Sequence, residues 1–313
     1  MNFGVAVKRG FALLAVLWVI VGLAGLALGV SLSARNAIAS AHNRADITRA
    51  TWSARDCVER ARATIGELLI APPERDGRGL AGWSALDVTV PGSPIVSSAK
   101  CDVRLHATGD RIDINHADAE MLSAALHVLG VRAPRSDSMV DALLDWRDAD
   151  EVPRPLGVER AWYVAHGRFA PRDGAFADVR ELARVRGFED VPGIDSIFGV
   201  ETGRVALAHA PLSVISALPG LSGEGTARIA EERARGASPE DLTAIAAQLS
   251  PNARRLMLSR YADLVHAATI EPDSWIMQGR ATFGSPAVTV VVELKLVRAG
   301  DRAAIVRTRV WVA

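Results

Sequence analysis

The chain has 313 residues, and its 36 lysines and arginines balance its 36 aspartates and glutamates, so the formal net charge is zero. That balance argues against a general nucleic-acid binder, which carries a clear basic excess. Two cysteines without a CxxC spacing argue against a structural zinc site, and the length suggests about two domains.

Residues 1–10 end in Lys8-Arg9-Gly10, and residues 11–30 then contain neither a charge nor a proline. Twenty such residues make about 30 Å of helix, enough to cross a bilayer core. Lys8 and Arg9 should stay cytoplasmic and send the rest of the chain outward. A secretory signal peptide cut near Ala37-Ile38-Ala39 would leave Ser40 first. A plain signal anchor would stay uncut. A prepilin-type leader would be cut behind Gly10 and leave Phe11 first. The residues after the apolar run favour the last. Ala34, Ile38, Ala41 and Ala45, then Ala50, Ala54, Val58, Ala61, Ile65 and Leu68, recur at helical spacing, with no proline in residues 1–71. The membrane helix therefore continues unbroken to about Leu69, roughly 90 Å in all.

Lys-Arg-Gly before Phe, an apolar run and one long helix together resemble type IV pilins and type II secretion pseudopilins. The resemblance implies cleavage between Gly10 and Phe11 by a prepilin peptidase and N-methylation of Phe11. Family members carry a glutamate at the fifth mature position, which is Ala15 here. In the family that glutamate pairs with a neighbour's α-amino group. A subunit with alanine offers its amine but no acceptor, which suits the end of a filament.

Residues 71–83, APPERDGRGLAGW, read as a breaker-rich link. Val88/Val90 and Cys101/Val103/Leu105 alternate as in short antiparallel strands, and GDRIDIN comes after them. Residues 116–270 are helical and alanine-rich. Strands return from Ser274, with a hairpin tip at Gly300-Asp301 and a half-buried alternation of Ile305, Arg307, Arg309 and Trp311. The expected fold class is α+β: a long N-terminal helix on an antiparallel sheet, interrupted by an inserted α-helical domain. The expected organisation is a leader (1–10), a transmembrane helix (11–30), a pilin-like helix with the first strands (31–110), the insert (111–270) and the completing strands (271–313).

Within the insert, Ser238, Asp178 and Ser138 read as helix caps. INHADAEMLSAALHVLG (114–130) and VALAHAPLSVISALPGLS (205–222) echo each other, which suggests two related helical modules. Residues 218–225 resemble the loop of a helix-hairpin-helix, so a membrane-anchored DNA-binding protein of a competence-type pilus is the alternative. It would use Leu218–Gly225, although Arg228, Arg233 and Arg235 are matched by Glu224, Glu231 and Glu232.

Residues 143–163, LLDWRDADEVPRPLGVERAWY, hold Asp145, Asp148, Asp150, Glu151 and Glu159 around a Pro-rich loop. Clustered carboxylates need a cation or arginines, here Arg147, Arg154 or Arg160, and hard oxygens on an irregular loop suit Ca²⁺. Ile114-Asn115, the Asp-Trp-x-Asp-x-Asp element with its RPxG and Tyr163, and residues 176–187 together resemble the type II secretion minor pseudopilin K family over nearly the whole chain. That resemblance implies calcium held by Asp148, Asp150 and Glu159, with Asp145 a further ligand. It also implies partnership with minor pseudopilins I and J and other pseudopilins, and a tip position on an inner-membrane-anchored, periplasmic filament that serves protein export.

Cys57 falls on the helix and Cys101 on an early strand that should pack against it. Either they form a disulfide, allowed in an oxidising periplasm, or both are buried thiols. No GxSxG, HExxH or phosphate loop is present, and the seven histidines lack ligand spacing. A non-enzymatic assembly protein without a nucleic-acid partner is expected.

Overall fold

The computed structural model describes residues 6–70, 94–97, 101–235, 241–299 and 302–313. The link at 71–83, Val88/Val90, the Ser238 cap and the Gly300-Asp301 tip lie outside the described residues. The first helix, α1 (Ala6–Ile70), is continuous. Its side chains are exposed throughout residues 13–44, which include Leu14, Leu17, Trp18 and Leu26. Beyond that the helical period takes over: Ala50, Ala54, Cys57, Val58, Ala61 and Ile65 form a buried stripe.

The stripe lies on a five-stranded antiparallel sheet in the order β1-β2-β7-β8-β9. These strands are β1 (Pro94–Ser97), β2 (Cys101–Ala107), β7 (Ser274–Phe283), β8 (Val288–Ala299) and β9 (Arg302–Val312). Side chains alternate across a strand, so one face carries the rows Leu105–Met277–Leu294 and Val103–Gly279–Val292. These residues and Trp275 pack against Val58, Cys57 and Ile65 as one core. Burying each large apolar side chain contributes about 1.5–3 kcal/mol. Gly279 is required by the close approach of α1: a Cβ there would sit 2.9 Å from the Ala54 carbonyl oxygen and collide with Val58. Cys57 and Cys101 are joined as a disulfide with their Cα atoms 6.5 Å apart, which ties helix to sheet.

β9 departs from the expected half-buried apolar alternation. Ile305 and Trp311 are largely exposed, and the well-covered position is Arg307. The strand closes the sheet at an edge, so no further layer covers its apolar residues.

Residues 108–273 leave the sheet after β2 and return to it at β7. They contain β3 (Ile112–Asp113), α2 (Ala119–Val128), α3 (Arg135–Arg147), α4 (Arg160–Ala165) and a 3₁₀ turn (Val179–Arg184). Next come α5 (Ile194–Ile197), β4 (Phe198–Gly199), β5 (Val205–Ala206), α6 (Leu212–Ile215) and α7 (Gly223–Ala234). The segment closes with α8 (Leu242–Ala247), α9 (Pro251–Ser259), α10 (Tyr261–Ala267) and β6 (Ala268–Thr269). A second core, around Trp146, Tyr163, Phe188, Phe198 and Leu122, runs through all of it. Asp178 caps the 3₁₀ turn by accepting the Arg180 amide, whereas Ser138 lies inside α3, which begins after Pro134.

The echo in the sequence is an echo in structure. β3 pairs in parallel with β4, and β5 with β6. The turn after β3 uses the amides of His116 and Ala117 on the Asp113 carbonyl; the turn after β5 uses those of His209 and Ala210 on Ala206. In the first module the Arg147 guanidinium donates to the carbonyls of Ile114 and Ala117. In the second, Arg233 donates to those of Leu207 and Ala210. Each arginine sits at the end of its module's main helix and satisfies carbonyls that the short strand leaves unpaired.

Candidate metal centre

The acidic loop starts where α3 stops. Trp146 is buried against Tyr163 edge-on, 5.1 Å between ring centroids, and stacks on Phe176. This aromatic anchor fixes the end of α3, and Asp148 caps it in an extended conformation. The loop returns through Gly157, which packs so tightly on the Asp145 carboxylate that a Cβ there would overlap it. Glu159 then opens α4, whose Tyr163 accepts a hydrogen bond from the Arg186 amide at 3.1 Å.

Asp148, Asp150 and Glu159 each place a carboxylate oxygen within 4.8 Å of the others. Asp145 stands apart: it is fully buried and accepts the Arg154 amide at 3.3 and 3.2 Å, with the Arg154 guanidinium 3.4 Å away. Its role is to hold the loop. Burial pushes its carboxyl above the usual range, opposed by the Arg154 amide. Asp148 is also raised, first by burial and then by Asp150.

Glu159 is the most perturbed of the group. It is 5 % exposed, and neither of its carboxylate oxygens has a hydrogen-bond partner; Asp148 Oδ1 has none either. Burial, then the charges of Asp145, Asp148, Glu151 and Asp173, push it up to about 7. An unpaired buried carboxylate is costly, and a cation between these three groups removes the cost. Oxygens up to about 4.8 Å apart suit a hard ion that binds oxygen at about 2.4 Å, so the residues fit such a group.

The arginines divide the rest. Arg154 reaches Asp148 at 3.5 Å, Arg160 bridges Glu151 and Asp173, and Arg147 is occupied by backbone carbonyls. Sequence reasoning missed Asp173. It stands at positive φ in the turn Asp173-Gly174, and its Oδ1 is buried without a partner. The Asp-Gly turn signal was visible, but only folding brings it to Arg160.

The helix-hairpin-helix segment is also placed. Gly220 adopts positive φ where a side chain would meet Arg260, and Ser222 accepts the Gly225 amide at 3.2 Å. Arg228 pairs with Glu231 at 2.9 Å, and Arg233 is spent on the carbonyls of Leu207 and Ala210.

A helix that is apolar and exposed in its first half and seated on an antiparallel sheet in its second gives a pilin-like fold, here enlarged by a mainly helical insert. Residues 103–191 match the family model described as type II secretion system (T2SS), protein K. No curated protein matches the chain. Among solved structures, the GspK-GspI-GspJ complex from the enterotoxigenic Escherichia coli type 2 secretion system contains a chain with the same fold. The TM-score is 0.59 at 14 % identity, covering 87 % of this chain and 99 % of that one.

Proposed function

We propose that this subunit stands at the tip of the pseudopilus, where it initiates or caps assembly and takes no catalytic part. The observation that carries the reading is the direction of the insert. Just past the end of β7, Gly284 lies against Asp46 of α1, and within the strand Gly279 lies against Ala54 and Val58, so the strand's start at Ser274 points away from the membrane end. The insert leaves and rejoins the sheet at that distal end. Its bulk would occlude a subunit stacked above, and Ala15 removes the acceptor such a subunit would use.

The same reading has a prepilin peptidase cutting behind Gly10 and Phe11 becoming the methylated N-terminus. The apolar segment would remain in the inner membrane and the bulk would lie in the periplasm. The solved complex joins GspK with GspI and GspJ, so minor pseudopilins I and J are the proposed immediate partners here. Calcium is the proposed occupant of Asp148, Asp150 and Glu159, because a loop of carboxylates suits its flexible oxygen coordination better than the strict octahedron of Mg²⁺.

Intact-mass analysis of the native chain tests the placement. A start at methylated Phe11 is expected. A start at Ser40 would mean a cleaved signal peptide and would overturn the reading.

A further inference from the structure

A cavity of about 350 Å³ opens between the two modules of the insert. One wall is the turn after β3 and the start of α2; the other is α10 and the segment that leads into β7. Four carboxylates face it: Asp113, Asp118, Asp263 and Asp273. Two of them are neutralised, Asp263 by Arg260 at 2.9 Å and Asp273 by Arg204 at 3.0 Å.

The other two have no such close ion pair, although the charge of Arg147 acts on both and that of Lys295 on Asp113. Asp113 is 4 % exposed; its Oδ1 accepts the Asn115 amide at 3.0 Å, and its Oδ2 has no hydrogen-bond partner. His116 Nδ1 lies 3.3 Å from that oxygen, on a side chain that is 82 % exposed. Asp118 spends one oxygen on the Met121 amide at 2.8 Å. Among the described residues no arginine or lysine pairs with either. A buried carboxylate oxygen without a donor is a standing cost that an incoming N–H group would remove.

The ligand this calls for is not a small ion. Among the described residues, three or more metal-capable groups converge only at Asp148, Asp150 and Glu159, so no three of the cavity's acids meet on one cation. Met121 and Pro219 add an apolar surface between them. That surface fits an aliphatic stem, and the separated acceptors fit a head with several donors. A guanidinium meets both demands, since its planar fork holds five N–H donors, whereas an ammonium concentrates its charge at one point.

We propose that this cavity receives an arginine side chain presented by another polypeptide, with the guanidinium on Asp113 and Asp118 and the methylenes on Met121 and Pro219. The site is independent of the tip placement. The test is saturation-transfer NMR on the full-length chain in detergent, with N-acetyl-arginine amide as probe and the citrulline analogue as its neutral counterpart. Arginine should give transfer and citrulline none. Asp113→Asn and Asp118→Asn should each weaken binding about tenfold, as loss of a charge-assisted bond does. Asn at 118 still caps α2, so the fold persists. Equal transfer from citrulline, a tighter lysine analogue, unchanged binding in both variants, or no transfer at millimolar probe would each overturn the proposal.

Discussion

At the scale of single residues, Glu159 decides how the acidic loop responds to its surroundings. Its carboxyl is raised from 4.5 to about 7, first by burial and then by Asp145 and Asp148. Between those values the folded chain binds a proton that the unfolded chain has released. The stability that Glu159 contributes without metal is therefore full below about pH 4.5 and falls as the pH rises towards 7. In chelator, thermal unfolding should occur at a higher temperature at pH 5 than at pH 7.5, and Glu159→Gln should flatten that difference. Added calcium should raise the midpoint at pH 7.5 for the native chain and leave Glu159→Gln little changed. An equal rise in both would remove Glu159 from the site. Asp145 was legible as an acid in the motif, but its backbone partners were not. The Arg154 amide and the overlap with Gly157 exist only once the loop folds back on α3.

At the scale of elements, the seat of α1 on the sheet depends on what the strand omits as much as on what it buries. The helical stripe of Ala50, Ala54, Ala61 and Val58 could be read from spacing alone, as could the alternation of Trp275, Met277 and Ala281. Nothing in that alternation marks Gly279 as the contact. Its partner Val58 is 221 positions away in the chain, and the register of β2, β7 and β8 brings Val103, Gly279 and Val292 into one row. Gly279→Ala should cost about 1–3 kcal/mol, since the added methyl meets a helix carbonyl that cannot yield. Chemical denaturation measures it. A neutral effect would mean that α1 can lift off the sheet freely. The two-residue strands β3 to β6 were too short to carry a period, and the arginines that complete them lie 33 and 26 residues beyond the carbonyls they satisfy.

At the scale of the whole molecule, the insert is held in one orientation by a charged junction. Glu201, in the segment that leads towards β5, pairs with Arg307 and lies 3.5 Å from Arg309, while Lys295 donates to its carbonyl at 2.7 Å. Arg307 also donates to the buried Glu293 at 2.8 Å. Arg307→Met strips the buried Glu293 of its guanidinium and leaves Glu201 with Arg309 alone, and should destabilise by about 2–4 kcal/mol. Spin labels placed on the sheet and on the insert should then report a broader distance distribution. An unchanged distribution would move the orienting role elsewhere.

The sequence by itself determined the continuous N-terminal helix, the α+β plan with an interrupting helical segment, and the acidic loop. Each of these is written in local spacing: a period near 3.6, a period of two, or charges a few residues apart. Tertiary structure alone decided which acids converge. Asp148, Asp150 and Glu159 meet, Asp145 turns to the backbone, Asp173 arrives from a separate turn, and Asp113 and Asp118 come to face Asp263 and Asp273. Those placements depend on contacts between distant segments, because packing, which is blind to sequence separation, sets where each carboxylate finally points.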